Sequence, residues 1–86
     1  MLAPTGSNLT LVKVIVHTPF DTEAELKIGT LDVDDQFMKV QENDLKVADS
    51  YIALSPEIFE SATFILGFFN ANSASAGLAE VQITYA

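Results

Sequence analysis

The chain contains no cysteine, no tryptophan and no arginine, and only one histidine, His17. Without cysteine there is no disulfide, and the redox compartment leaves no trace in the composition. One histidine and no thiol do not supply the Cys/His ligand set usual for a structural zinc, so none is expected. The basic residues are Lys13, Lys27, Lys39 and Lys46, spaced singly along the chain. That supply is too thin to neutralise a phosphate backbone, so no nucleic-acid partner is expected. An anionic membrane surface is disfavoured for the same reason. Long apolar runs are missing as well. The longest, Phe64 to Phe69, has six residues, against the ~20 needed to span a bilayer. The opening "MLAPTGSN" lacks the basic and apolar regions of a signal peptide, so no secretion signal is expected.

What is present is acid and hydrocarbon. Twelve acidic residues against four basic ones give a net charge of −8, while 49% of the chain is hydrophobic. The acidic balance keeps so apolar a chain in solution. With 86 residues, one domain is expected, and folding would bury only roughly 60–65% of the surface of the unfolded chain. Domains this small usually gain stability from disulfides, a metal or a second subunit. With disulfides and zinc set aside, association between copies is the expected aid.

The apolar residues follow strand patterns. "LTLVKVIVHT" (9–18) is rich in Val, Ile, Leu and Thr, and places Val12, Val14 and Val16 on one face. Leu9, Leu11, Lys13, Ile15 and His17 fall on the other, so both faces are largely apolar, as in a central or doubly covered strand. "TPFD" supplies a turn. "AELKIGT" alternates, with Ala24, Leu26 and Ile28 inward, and is expected to pair with the first strand before Gly29 ends it. Residues 34–45 are expected to form a loop with at most one short helical turn around residues 34–40, capped by Asp34 and carrying Phe37 and Met38. "KVADSYIALS" reads as a strand ending before Pro56. "SATFILGFFN" is the strongest strand, with Phe64, Leu66 and Phe68 on one side and Ile65 and Phe69 on the other. After the small-residue turn "NANSASAG", "LAEVQITYA" alternates with Ala79, Val81, Ile83 and Tyr85 inward. Five strands, or seven shorter ones, spell an all-β fold: an antiparallel β-sandwich or jelly-roll-like barrel. "FILGFF" carries high β-propensity with no charge and no proline. It must therefore be central in a sheet or covered by a neighbouring subunit.

Few residues invite chemistry. Asp32, Asp34 and Asp35 suggest a calcium loop, but that loop spaces its ligands D-x-[DN]-x-[DN]-G. Counting from Asp32, Asp34 fits, Gln36 takes the fifth position and Phe37 stands where glycine is required. An irregular site adding Glu42 or Asp44 stays open beside the simpler reading, a solvated loop at the rim of the sheet. His17 has no nucleophile motif around it, and at a strand end it reads as a hydrogen-bonded structural residue. Gly29, Gly67 and Gly77 are isolated, so no loop cradles a phosphate. A pair of carboxylates could serve glycoside hydrolysis, but a small sandwich without tryptophan offers little sugar-binding surface. No enzyme, cofactor or metal is expected.

In order, "VKVIVHTPFDTEAELKIGTLDVDDQFM", "QENDL" and the closing "SAGLAEVQITYA" resemble a group of small tailed-bacteriophage virion proteins. In that group a V-x-V-x-V strand leads through a T-x-F-D turn to an L-x-I-G strand. An acidic segment follows, and a small-residue turn precedes a last strand ending in tyrosine. Residues 12–45 and 73–86 carry the likeness. The glycine-rich character usual after the second strand is reduced here to "TLDVDDQ". The resemblance implies a non-enzymatic structural protein of the virion, a decoration or cement subunit on the capsid surface. Its partners would be the major capsid protein or other virion proteins, and it would associate as a homotrimer. A head-fibre or tail-attached module that recognises a host surface is the alternative. Residues 1–8 are expected to form an extended arm beside a single sandwich domain, 9–86. Leu2, Ala3 and Pro4 of the arm, with Phe68 and Phe69, are the expected contacts to another subunit or to the capsid.

Overall fold

A computed structural model describes residues 2–85 of the chain. The strands among these residues are β1 (Leu2–Ala3), β2 (Asn8–Thr18), β3 (Glu25–Gly29), β4 (Ser50–Ile58), β5 (Thr63–Phe64), β6 (Leu66–Asn70) and β7 (Leu78–Tyr85). The expected all-β fold is what forms. Every strand pair is antiparallel, and the sheets run β4-β2-β7, β3-β6 and β1-β5. The expected inward placement of the Tyr85 side chain, and the Met1 and Ala86 ends of the expected arm and domain, lie outside the described residues.

The two larger sheets face one another across one apolar core. Leu9, Val12, Val14 and Val16 of β2 meet Leu26 and Ile28 of β3, and each is buried. Alternation places Val12, Val14 and Val16 on one face as expected, but Leu9 joins them despite its opposite parity. The reason is a register shift between Leu9 and Leu11. Thr10 is the extra residue against β7, a β-bulge that turns the strand over, and its Oγ1 donates to the Thr84 carbonyl at 3.0 Å.

Three strand assignments differ from expectation. β3 pairs with β6, not with the first strand, because β2 is already flanked by β4 and β7. β4 runs through Pro56 to Ile58. Between the pairs Leu11↔Leu54 and Leu9↔Glu57, β4 carries two residues against the single Thr10. Proline is tolerated there because β4 is an edge strand and the ladder is already broken. "FILGFF" is not one central strand. It divides at Ile65 into β5, which pairs with β1, and β6, which forms an edge.

The connection after β3 is part of the core. Phe37 and Met38 are buried, and no helical turn holds them. Instead, Ile28 and Met38 exchange backbone hydrogen bonds of 2.9 and 3.0 Å, which places Met38 on the second edge of β3. The Phe37 ring meets Phe59 edge-on, with centroids 6.0 Å apart. Among the described residues the helical turn is 3-10 and lies later, at Val40–Glu42. Gly29 allows the loop to fold back, since any Cβ there would run into the carbonyl groups of Val33 and Asp34.

Residues 2–8 contact the rest of their own chain. Leu2 and Ala3 pair with Phe64 and Thr63 of the same chain. Ala3 is fully buried, and Gly6 N–H donates to Phe59 O at 2.7 Å. These contacts join the segment to β5 and to Phe59.

Candidate functional site

Asp32 and Asp34 of the acidic loop are exposed. Lys27 Nζ lies 2.8 Å from Asp34 Oδ2, and this contact is the main reason the Lys27 ammonium is held above its ordinary pKa. Among the described residues no group of three potential ligands is placed to hold a metal ion. His17 sits at a second β2 bulge, between Val16 and Thr18, and its Nε2 donates to Glu80 Oε1 at 2.6 Å. That bond, followed by one from Gln82, lowers the Glu80 carboxyl pKa. The pair is exposed, and its imidazole is held by a neighbouring strand.

The motifs that carried the family resemblance meet in space. The "TPFD" turn and the "NANSASAG" turn are stitched together. Ser75 donates to Asp21 through both its N–H (3.0 Å) and its hydroxyl (2.5 Å). The Thr22 hydroxyl donates to Ala71 O at 2.9 Å, and Asn72 Nδ2 donates to Glu23 O at 2.6 Å. The Ser75 bonds lower the Asp21 pKa. Phe20 lies directly against Gly77, where a Cβ would penetrate its ring, and contacts Phe69 with centroids 5.5 Å apart. Gly77 has φ +145°, so both its backbone and the ring beside it demand glycine. These motif residues build one end of the sandwich.

Two apolar surfaces remain. One is the outer face of β4-β2-β7. Register places Leu11, Lys13 and Ile15 of β2 on this face with Ile52 and Leu54 of β4. Ile52, Leu54 and Ile58 are 56%, 76% and 68% exposed. β2 is therefore central, as its apolar faces implied, but its second face is not covered by any described residue. β7 closes this face with Glu80, Gln82 and Thr84.

The other surface is the open side between the β6 and β7 edges. Two apolar recesses lie there. One, of about 320 Å³, is lined by Ile28, Ile65, Leu66, Gly67, Val81 and Ile83. The other, of about 210 Å³, is lined by Phe20, Leu26, Leu45, Phe69, Ala79 and Val81. Val81 belongs to both.

The expected interface residues are thus divided. Phe69 stands on the rim of the open side and is 53% exposed; Phe68 is half-buried on the outer face of β6. Leu2 and Pro4 are exposed at the far end, and Ala3 faces the core. Sequence reading missed Gly67 and Val81 as surface residues, along with the outer face of Ile52, Leu54 and Ile58. The doubly apolar pattern of residues 9–18 was the available signal for that face.

Comparison with protein families, curated proteins and solved structures finds no match to this chain.

Proposed function

We propose that the protein is a structural component of a bacteriophage virion, a small β-sandwich that decorates or cements the capsid in several copies. The resemblance of residues 12–45 and 73–86 suggests this role. The observation that best supports a docking role is the outer face of β4-β2-β7. An acidic chain of this size gains nothing as an isolated monomer from holding Ile52, Leu54 and Ile58 in water. Contiguous exposed apolar patches mark surfaces that meet another macromolecule. In this reading the outer face lies on the capsid protein, while the acidic loops face solvent. Exposed Phe64 and Phe69 favour the second reading, a head-fibre or tail-attached module binding a host surface, because such modules use protruding aromatic rings.

The test is a binding assay with purified particles that lack this protein. Leu54→Asp should abolish stable binding while leaving the melting temperature close to that of the parent, since exposed substitutions change stability within about ±0.5 kcal/mol. Normal occupancy by the variant would refute the docking face. Imaging the particle distinguishes the two readings: copies repeating across the capsid lattice support decoration, and few copies at a fibre or tail support host recognition.

A further inference from the structure

The two edges that border the open side share an unusual lack of protection. Sheet edges are ordinarily guarded by lysine, proline, bulges or inward charges. β4 has Pro56, Glu57 and its extra residue. β6 has no charged residue and no proline, and β7 has one charge, Glu80. Of twelve acidic residues only that one lies on either strand, so this is the side on which a second copy meets least repulsion.

The residues also match themselves. On β6, Gly67 and Phe69 face inward, opposite Ile28 and Leu26, while Phe68 lies between them on the outer face. Below, Val81 lines both the recess containing Gly67 and the recess containing Phe69. Phe68 in one layer and Val81 in the other therefore fall on a common line through the sandwich. We propose that a second copy of this chain docks here about a two-fold axis along that line, so that β7 pairs antiparallel with its counterpart and β6 with its own. Val81 then meets the partner's Val81, Ala79 meets the partner's Ile83, and Glu80 meets the partner's Gln82. No like charges oppose one another.

On β6 the same axis lays Phe69 across from the partner's Gly67, beside the larger recess. An aromatic ring over a cross-strand glycine is a favourable edge pairing. The sheets grow from three and two strands to six and four, and the contact is isologous, so it closes at two copies. The paired edges would be the five residues of β6 and the eight of β7. This pairing stands apart from the virion reading, and replaces the expected three-fold association with a two-fold one.

Light scattering of the full chain at micromolar concentration should return a dimer. Residues paired across antiparallel strands have Cα atoms about 4.5–5.5 Å apart, within disulfide range. In this cysteine-free chain, Val81→Cys should therefore give a covalent dimer on mild oxidation, and Leu54→Cys on the outer face should not. Gln82→Glu sets a carboxylate opposite Glu80 at two symmetric positions and should weaken the dimer about tenfold; Gln82→Lys should tighten it by a similar factor. Within the monomer Gln82 lies between Lys13 and Glu80 of its own chain, so the melting temperature of each variant is measured at a concentration where it is monomeric, and the dimer constant is read separately by light scattering. A monomer, a trimer, or a dimer that neither cross-links through Val81→Cys nor responds to the Gln82 substitutions would overturn the proposal. A monomer that still binds particles would leave the virion reading intact.

Discussion

Leu31 and Phe37 are both apolar, lie in the same acidic connection, and should respond oppositely to alanine. Phe37 is 1% exposed and packs edge-on against Phe59; Leu31 is 81% exposed. Truncating a buried phenylalanine removes its transfer free energy and leaves a cavity, at a cost of about 3–5 kcal/mol. A chain of 86 residues has a total stability of roughly 4–13 kcal/mol at ~0.05–0.15 kcal/mol per residue. Phe37→Ala should therefore remove between a quarter and all of the stability. Each kcal/mol shifts the melting temperature of a domain this size by about 4–8 °C, so a fall of at least ~12 °C is expected. Leu31→Ala should stay within about ±0.5 kcal/mol. Urea unfolding followed by circular dichroism measures both, with the m-value confirming that the unfolded reference is unchanged. All variants are compared at one protein concentration, because self-association would add to apparent stability. A Phe37→Ala cost below 1 kcal/mol, or a Leu31→Ala cost equal to it, would refute the placement of this connection in the core.

Ala3→Asp should lower stability by about 1–3 kcal/mol, because the added carboxylate has neither room nor a partner in that socket; an unchanged melt would mean the first strand does not lie against β5. Asp21 is held below its ordinary pKa chiefly by the Ser75 hydroxyl and amide. A carboxyl whose folded value is depressed adds stability above its unfolded value, about 4, and that contribution is lost as pH falls through the folded value. Asp21→Asn should thus flatten the acid limb of the stability curve below about pH 4, and a limb of parental slope would count against the Asp21–Ser75 lock. EDTA should leave the melting temperature unchanged, whereas a fall restored by calcium would place an ion on Asp32, Asp34 and Asp35.

Local pattern made faces legible, and partners less so. The alternation of Leu26 and Ile28, and of Ala79, Val81 and Ile83, identifies their common side because strand period is fixed at two. It cannot tell which strand lies beside β3, since β2 and β6 offer equally apolar edges from residues far apart in sequence. Bulges defeat parity outright: one extra residue at Thr10, against β7, moves Leu9 into the core. Pro56 marked a boundary only under the assumption of an unbroken ladder. Phe37 and Met38 lay in a polar, acidic setting with no period to place them, and a single bridge to Ile28 is invisible without the fold. For the candidate site, Phe68 and Phe69 were legible as apolar residues needing cover, whereas Gly67 and Val81 acquire meaning only from the recesses they line.

The pairing of β2 with β7 joins residues 60 to 76 positions apart, from Thr18↔Leu78 to Leu9↔Tyr85. During synthesis β2 emerges well before β7 and has no second flanking strand until the four strands between them have followed. Closing loops of that length before any contact is gained makes such topologies slow to fold. Meanwhile the uncharged segment Phe64 to Phe69, whose strand partners β1 and β3 have already emerged, still lacks Val81 and Ile83 of the last strand beside it, and exposed apolar surface of this kind favours aggregation. Folding yield should therefore depend on how quickly the last strand arrives, and slow expression at low temperature should give more native protein than rapid expression.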